Sequence, residues 1–340
     1  MSVLNVLYQS DDNYAVFMGV SACSLLDSNK AAEKIRIYVI DDGISLENKE
    51  KLTAMVSSYG REITFLQGTA ISGQEEIAAA FAYSGMRKNT HSYLKMFIDQ
   101  LAPELNERIV YIDCDTAVTG DIQELMSIDM QGKTAGMVMD SLATKCKKAV
   151  GIAESDRYYN SGVILIDLTQ WKQRQCSKRI LSHIKNVRTY GTVDQDVLNV
   201  ELKNEIMTLP AAYNLQPIHL DYPYEVYSRV YKHKDAYYCK EEIEEAVKAP
   251  KIIHYLRYLG EGPWHEGNSH PCAKYFDYYL QMSPWHDYSK KPANAKRMFR
   301  IEKWMYHHLP RSIFLRIFNI VHDAMIIKSN RQCQPPESHR

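Results

Sequence analysis

The first 70 residues alternate short apolar runs with longer stretches of helical periodicity. Apolar runs at 3–8, 35–40 and 63–66 have the length of buried strands, and helical patterns begin at Tyr14 and after Ser45. The order strand, helix, strand, helix, strand is typical of an α/β protein with a parallel sheet covered by helices. Such sheets bind ligands beyond the carboxyl ends of their strands. The polar residues that follow these runs are therefore the first candidates for function.

Later apolar runs predict two more core strands, 109–112 and 162–166, and each runs directly into an aspartate. A helix at 196–202 and a strand at 251–255 complete this domain. After about residue 270 the composition shifts towards Tyr, Trp, His and basic residues. We therefore predict three parts, which are an α/β domain, a small helical appendage and a disordered tail, at 1–270, 271–330 and 331–340.

Composition and charge narrow the function classes. The chain has 340 residues, 45% of them hydrophobic, which is enough for a sizeable core. Its 41 basic and 41 acidic residues balance, so a general attraction to nucleic acid is not indicated. The seven cysteines are odd in number and lack a CxxC spacing, which argues against a disulfide framework or a structural zinc site. Reduced thiols in a cytoplasmic protein are the simplest interpretation.

The chain shows no signal peptide and no apolar run near the roughly 20 residues that span a bilayer. Its C-terminal part nevertheless interleaves basic with aromatic residues, a pattern that suits a membrane surface rich in anionic lipid. The alternative is a packed helical appendage with a solvated basic face. We expect a cytoplasmic protein that makes peripheral contact with the inner face of the membrane through these residues: Lys290, Lys291, Lys296, Arg297, Arg300, Lys303, Arg311, Arg316, Trp285, Phe299, Trp304, Phe314 and Phe318.

The strongest polar feature is the triplet Asp113-Cys114-Asp115 at the end of the strand 109–112. Residues two apart on a strand share a face, so the two carboxylates repel unless a cation lies beside them. Mg²⁺ and Mn²⁺ take oxygen ligands and join carboxylates to substrate phosphates. The triplet is either a metal–diphosphate clamp or a polar turn, and on its own it leaves both interpretations open.

Three further polar groups have equally ordinary alternatives. The segment 10–14 can bind a nucleoside, with Tyr14 stacking on a base, or it can cap the next helix through Asp12 or Asn13. The acidic residues at 194–196 suit the first turn of a helix. His254 ends an apolar strand, where a histidine is more often packed than a ligand.

The order of these blocks along the chain decides between the alternatives. Over residues 3–270 the sequence resembles glycosyltransferase family 8, which includes bacterial lipooligosaccharide galactosyltransferases and glycogenin. The matching blocks, in order, are Asp11-Asp12-Asn13-Tyr14, Tyr93-Leu94-Lys95, Ile112-Asp113-Cys114-Asp115, the run from Tyr159 to Leu168 with Trp171, Asp194-Gln195-Asp196 with Asn199, and His254-Tyr255 with Pro263-Trp264-His265.

The resemblance implies a GT-A fold, which is a Rossmann-like nucleotide-sugar-binding fold, and a retaining transferase. It also implies a UDP-galactose or UDP-glucose donor and a glycan or glycolipid acceptor, as in cell-surface polysaccharide or lipopolysaccharide synthesis. The ion would be Mn²⁺, or Mg²⁺, held by Asp113, Asp115 and His254. The donor would contact Ser10, Asp11, Asn13, Tyr14, Lys95, Asp113, Cys114, Asn160, Arg257 and Gly260. The catalytic pocket would hold Asp140, Asp194 and Gln195.

Two departures from the family pattern affect the donor site. Lys95 stands where the family usually has arginine, so it supplies charge without a bidentate fork. The family pattern His-Tyr-x-Gly-x-x-Lys-Pro-Trp is here two residues longer, and Gly262 occupies the lysine position. We hypothesise that Arg257 replaces that lysine on the diphosphate. Alternatively, Arg257 is a surface residue and the metal alone neutralises the leaving group.

Two other functions remain in view. A nucleotidyltransferase also uses paired aspartates and a metal, but it should carry a glycine-rich loop after the first strand, and residues 10–13 are not one. A nucleotide-sugar-binding protein with weak or no transferase activity is compatible with loss of the loop lysine. For a transferase, Gln195 is a poor nucleophile, which favours attack from the face that the leaving group occupies over a covalent intermediate.

Overall fold

The structure of the chain, a computed structural model, describes residues 3–71, 90–141, 147, 150–186, 193–232, 236–293 and 297–333. Among these residues, seven strands form one mixed sheet in the order β3-β2-β1-β4-β7-β6-β8, and β5 and β9 form a second sheet. The strands are β1 (Leu4–Ser10), β2 (Ile35–Asp41), β3 (Glu62–Gln67), β4 (Arg108–Ile112), β5 (Thr116–Val118), β6 (Ala135–Met139), β7 (Tyr159–Asp167), β8 (Ile206–Thr208) and β9 (Ile252–His254).

Helices cover both sheets, and short 3-10 turns connect several of them. The helices are α1 (Ala15–Ser28), α2 (Leu46–Ser58), α3 (Ile98–Leu101), α4 (Leu168–Gln173), α5 (Cys176–Asn186), α6 (Val193–Glu201), α7 (Pro217–Asp221), α8 (Tyr224–Tyr231), α9 (Lys240–Lys248), α10 (Ala273–Met282), α11 (Arg297–His308) and α12 (Arg311–Cys333). The 3-10 turns are Gly68–Ala70, Thr90–Phe97, Gln123–Met126 and Ala211–Asn214.

The sheet confirms the predicted α/β class. Strands β1, β2, β3 and β4 run parallel, as the alternation of apolar and helical segments predicts. Strand β7 is the exception, because it runs antiparallel to β4 on one side and to β6 on the other. Its register places Val163 beside Ile112, so the end of β4 and the start of β7 meet at one edge of the sheet.

The predicted strand at 251–255 lies outside the main sheet. As β9 it pairs antiparallel with the short β5, and the register sets His254 opposite Thr116. Two further backbone bonds fix this arrangement: the Tyr255 amide donates to the Asp115 carbonyl over 2.8 Å, and the His254 amide donates to Leu215 over 3.0 Å. This second sheet therefore brings His254 beside the aspartate triplet.

The helix starts confirm one expectation and exclude one of the alternatives left open for residues 10–14. Ser45 caps α2, as predicted, because its hydroxyl accepts the amide of Asn48. At α1 neither Asp12 nor Asn13 is the cap. The Asp11 carboxylate accepts the Tyr14 amide over 2.9 Å instead. The Asp12 carboxylate is held by the start of α2, through the Ser45 amide and the Asn48 side chain.

The C-terminal helices pack against the α/β core. The Trp285 side chain is buried and fills the space above Gly19 on α1, where a Cβ would lie 2.0 Å from the indole ring. Its indole N–H also donates to Asn48 over 2.9 Å. Further along, the Tyr306 hydroxyl donates to the Asp221 carboxylate over 2.9 Å. Within the part of the chain that the structure describes, no helix combines the length and the apolar character needed to cross a bilayer.

The five aromatic residues predicted to face a membrane differ in exposure, and two of them, Phe299 and Phe318, are half-buried. Trp285 and Phe314 are buried, so they serve packing, whereas Trp304 is 57% exposed. Of the predicted disordered tail, residues 334–340 lie outside the described residues, and α12 extends to Cys333.

Candidate active site

Asp113, Asp115 and His254 form a compact cluster at the end of β4. One ligand atom from each side chain lies within 4.8 Å of the other two. His254 Nε2 is 3.3 Å from Asp115 Oδ1 and 3.7 Å from Asp113 Oδ2. Two carboxylates and one imidazole that converge in this way fit a divalent cation. The three side chains that the resemblance implied as metal ligands are thus brought together.

The buried His254 is held in one orientation. Its Nδ1 lies 3.1 Å from the side-chain oxygen of Asn214, an acceptor, so Nδ1 carries the proton and Nε2 faces the two aspartates. Asn214 is fixed in turn, because its amide group donates to Asn160 Oδ1 over 2.8 Å. A histidine whose second nitrogen is bonded in this way is a typical metal ligand.

The electrostatics of the cluster favour an added positive charge. Burial raises the pKa of Asp113, although Lys95 and His254 act in the opposite direction. Burial also opposes ionisation of Asp115, but the charge and hydrogen bond of His254 outweigh it and lower the pKa of that carboxyl. Burial disfavours the charged imidazole as well, yet Asp115 raises the pKa of His254. The cluster is therefore suited to a positive charge, which either a proton on His254 or a metal ion in its place could supply.

Lys95 lies buried between two carboxylates. Its ammonium group is 2.7 Å from Asp194 and 3.7 Å from Asp113, and it donates to the carbonyl of Ser161 over 3.3 Å. The pKa of Lys95 is raised: burial lowers it, and the charges of Asp113 and Asp194 outweigh that effect. The ammonium also lies 4.3 Å above the ring of Tyr111, whose hydroxyl donates to Asp113. Lys95 thus links Asp113 to Asp194 in the first turn of α6.

A network of amides and carboxylates continues from Lys95 into the predicted sugar pocket. The Ser161 hydroxyl donates to Asp194 over 2.9 Å, and its amide donates to Gln195 Oε1 over 3.2 Å. The Gln195 side-chain amide donates to Asp140 Oδ2 over 3.2 Å, and Asn160 donates to the same oxygen over 3.0 Å. The residues implied as catalytic therefore lie together, and each is held by neighbouring side chains.

The predicted nucleoside segment lies at the carboxyl end of β1. Ser10 is buried, while Asn13 and Tyr14 are exposed, and the Tyr14 ring is 38% accessible. The Asn13 amide donates to Asp11 over 3.2 Å. Cys114 connects this segment to the triplet, because its buried thiol donates to the Gln9 carbonyl over 3.0 Å. The exposed ring of Tyr14 is thus available for stacking, whereas the Cys114 thiol packs β4 against β1.

The lengthened loop after His254 is held by the C-terminal helices. Leu256, Leu259 and Gly260 have positive φ angles of 50°, 55° and 74°, and Tyr258 and Glu261 form a backbone bridge. A Cβ on Gly260 would lie 2.5 Å from the ring of Phe299 on α11. Lys303, also on α11, donates to both carboxylate oxygens of Glu261, over 2.8 and 2.9 Å. Gly260 is therefore required for close contact with α11.

Three contributors to the site have no pattern of their own in the sequence. Gly162 leaves room for the His254 ring, Asn214 fixes its tautomer, and Ser161 bonds to both Asp194 and Gln195. Ser161 and Gly162 lie in the matching block from Tyr159 to Leu168, but the resemblance gave neither residue a role. Asn214 lies in a 3-10 turn that is distant in sequence from Asn160 and His254, the residues that it contacts.

Known proteins share this architecture. Residues 5–267 match the family model described as glycosyl transferase family 8. A lipopolysaccharide 1,2-glucosyltransferase of Escherichia coli K12 is 29% identical over 310 residues, which cover 90% of this chain and 85% of that protein. General stress protein A of Bacillus subtilis 168 is 25% identical over 285 residues, covering 82% and 93%.

The structural likeness extends to the GT-A glycosyltransferases. The crystal structure of the galactosyltransferase LgtC in complex with donor and acceptor sugar analogues superposes with a TM-score of 0.63 at 21% identity, covering 87% of this chain and 99% of that one. At that identity the likeness shows the fold, and the matched family model covers most of the chain. Together with the Asp-Asp-His cluster at the end of β4, these matches establish that the chain belongs to glycosyl transferase family 8 and has the GT-A fold.

Proposed function

We propose that the protein is a metal-dependent, retaining hexosyltransferase. It transfers galactose or glucose from the UDP-sugar to a hydroxyl of a glycan or glycolipid, in the synthesis of cell-surface polysaccharide or lipopolysaccharide. The observation that carries this proposal is the convergence of Asp113, Asp115 and an oriented His254 beside the Lys95–Asp194 pair. The lipopolysaccharide glucosyltransferase among the relatives supports the choice of a hexose.

The ligand set fits Mn²⁺ better than Mg²⁺. Mg²⁺ is held mainly by oxygen atoms and retains several waters, whereas an imidazole nitrogen suits later transition metals. Asp113, Asp115 and His254 would hold the ion. When bound, it supplies positive charge to the diphosphate oxygens of the leaving UDP.

Asp140 and Asp194 are proposed to orient the hydroxyl groups of the donor sugar. Asp194 is already paired with Lys95 and accepts the Ser161 hydroxyl, and Asp140 accepts amides from Gln195 and Asn160. Carboxylates engaged in this way are suited to accept sugar hydroxyls and less suited to attack carbon. We therefore infer that the acceptor hydroxyl attacks the oxocarbenium-like centre from the face of the leaving phosphate, which takes the proton. Detection of a glycosyl adduct on Asp194 or Asp140 by mass spectrometry would overturn this inference.

The nucleoside is proposed to lie at the end of β1. The exposed Tyr14 offers a ring face to the base, and Asp11 and Asn13 offer polar groups to the uracil and ribose. Ser10, Cys114, Asn160 and Gly260 complete the proposed donor site. Arg257, exposed on the loop after His254, is proposed to contact the diphosphate in place of the missing lysine.

The test is metal-dependent release of UDP. We expect the protein to release UDP from UDP-galactose or UDP-glucose with Mn²⁺ and to lose this activity when the metal is chelated. Asp113→Asn and Asp115→Asn should each reduce the rate on the order of 100-fold or more, whereas Asp129→Asn, an exposed aspartate that bonds only its own turn, should not. Binding of a UDP-sugar without any UDP release would favour a non-catalytic binding protein.

Peripheral membrane contact is proposed for the outer faces of α11 and α12. Trp304 and Ile320 are 57% and 64% exposed and lie among basic residues, which suits a surface containing anionic lipid. Truncation near residue 280 is a poor test, because it removes the buried Trp285. Trp304→Glu and Ile320→Glu should instead abolish co-sedimentation with vesicles containing phosphatidylglycerol. Leu46→Glu, on the exposed side of α2, should leave it intact.

A further inference from the structure

An apolar cavity of about 560 Å³ lies between the lengthened loop and the last two helices. One wall consists of residues 216–218 and 256–260, and the other is formed by α11 and α12. Its volume falls within the range of roughly 300–1,000 Å³ that is typical of small-molecule sites. The metal ligands do not line it, whereas Arg257 and Gly260 of the proposed donor site do, so the cavity is separate from the proposed ion site and adjoins the donor site.

The cavity also lies beside the candidate catalytic residues. Ser141, which lines it, follows Asp140 in the chain, and its amide and hydroxyl donate to Gln216 over 3.1 and 2.6 Å. Leu256, on the same side, follows Tyr255, whose amide donates to the Asp115 carbonyl. The cavity therefore begins at side chains directly next to residues of the site.

The walls are suited to a flexible hydrocarbon. Met298 and Met305 line the cavity together with Phe314 and Phe318, and unbranched thioethers adapt to irregular apolar shapes. Two titratable side chains in the wall also favour their neutral forms. Burial raises the pKa of Glu302 to about 7, and burial lowers the pKa of His322. A polar oligosaccharide would leave its hydroxyls unpaired against such walls.

Two arginines are among the residues that line the cavity. Arg257 and Arg297 are both exposed to solvent and both contribute to the lining of the cavity. An apolar interior with two exposed arginines in its lining matches a molecule that joins an aliphatic chain to a phosphate or another anion.

We propose that this cavity binds the aliphatic chain of an anionic glycolipid acceptor and thereby places the first sugars of that acceptor beside Asp140 and Gln195. The inference rests on the proposed transferase function, and it narrows the class of acceptor from a glycan or glycolipid to an anionic glycolipid. Because the cavity begins next to the active site, the reacting hydroxyl and the chain are separated by a short head group. A long core oligosaccharide would place its lipid far from this cavity.

The first experiment measures binding alone. Methyl, octyl and dodecyl β-glucosides, kept below their critical micelle concentrations, are titrated into the full-length protein with UDP and Mn²⁺, and dodecyl phosphate is titrated in parallel. We expect the dodecyl compounds to bind at least about 100-fold more tightly than the methyl glucoside. Equal affinity across the series would overturn the proposal.

A matched pair of variants locates the chain. Met298→Trp places a bulky ring in the cavity wall, whereas Met282→Trp makes the same change at a methionine of α10 that does not line it. The two methionines are 39% and 41% exposed, so neither change should prevent folding. We expect dodecyl affinity to fall roughly 10-fold or more in Met298→Trp alone. The same affinity in both variants would overturn the proposed location.

A third measurement separates an acceptor from a bound membrane lipid. UDP release is followed while dodecyl glucoside is raised through its dissociation constant. A chain that positions an acceptor head group should change this rate, whereas a rate unaffected by saturating ligand would show lipid binding only and overturn the acceptor role. A protein that releases no UDP under any condition would contradict the proposed function, while the binding measurements would still decide whether the cavity takes a chain.

Discussion

The ring of His254 occupies the space directly above the Cα atom of Gly162. A Cβ added to Gly162 would lie 2.1 Å from Cε1 of His254 and 2.3 Å from its Nδ1, far closer than a carbon contact permits. Gly162 belongs to β7 and His254 to β9, so strands of two different sheets meet at this point. The absent side chain is what allows the proposed third metal ligand to approach the two aspartates.

Gly162→Ala should therefore displace His254 and weaken metal binding. We expect the affinity for Mn²⁺, measured by calorimetry, to fall about 10- to 100-fold or more. Gly136→Ala is the matched control on β6, since its Cβ would approach the movable side chain of Leu209 at 3.0 Å and would be in ordinary contact with Leu165 at 3.4 Å. Equal Mn²⁺ affinities in the two variants would contradict the importance of this contact.

Asn214→Ala should weaken metal binding by a different route. Without the side-chain oxygen that accepts from Nδ1, the His254 ring can rotate or change tautomer. We expect a loss of about 10- to 100-fold in Mn²⁺ affinity. Asn106→Ala, at an exposed turn, serves as the control, and retention of full affinity in Asn214→Ala would show that the tautomer is fixed by other means.

The Lys95–Asp194 pair allows stability and catalysis to be separated. Lys95→Met leaves the Asp194 carboxylate without its charged partner. We therefore expect the free energy of unfolding to fall by about 3 kcal/mol. Adding Asp194→Asn should restore much of that stability while activity stays low. Denaturant unfolding and UDP release would be measured on both variants, and full activity in the double variant would exclude a catalytic role for the pair.

Arg257→Ala tests the replacement for the missing loop lysine. If Arg257 neutralises the leaving diphosphate, kcat should fall about 100-fold with little change in stability. Arg300→Ala, an exposed arginine of α11, is the control. A near-wild-type kcat for Arg257→Ala would leave neutralisation to the metal alone.

Glu302 should make stability depend on pH. Burial raises its pKa from 4.5 to about 7 in the folded protein, so the folded state favours the protonated form. Its stabilising contribution is complete below about pH 4.5 and is lost as the pH rises through 7. Glu302→Gln should therefore gain in Tm relative to the wild type between pH 5 and pH 8. Glu104→Gln, which alters an exposed glutamate, should show a constant difference.

The sequence predicted the strands that carry the site, but it did not predict which of these strands contact one another. Apolar runs located β1, β4 and β7 because a fully buried strand reads as a continuous apolar segment. The local sequence pattern could not predict the proximity of His254 to Asp113, because that proximity depends on the pairing of β5 with β9. The family resemblance supplied that ligand.

The C-terminal segment was less predictable for a physical reason. Composition identified its basic and aromatic character, but composition does not show which rings face inward. Trp285 and Phe314 are buried, whereas Trp304 is exposed. The conformation of the loop at 256–261 escaped prediction for the same reason, because Phe299 and Lys303 of α11 hold it in place.

The contact between Trp285 and Gly19 has a consequence for the timing of biosynthesis. Strands β1 and β2 and the helix between them leave the ribosome long before residue 285 is made, and until then the surface around Gly19 stays exposed. A nascent chain that has just passed His254 already contains every proposed metal ligand, yet it lacks the indole that seals α1. The proposed metal ligands are thus synthesised before the residue that covers α1. During that interval the exposed surface of α1 would most need a chaperone.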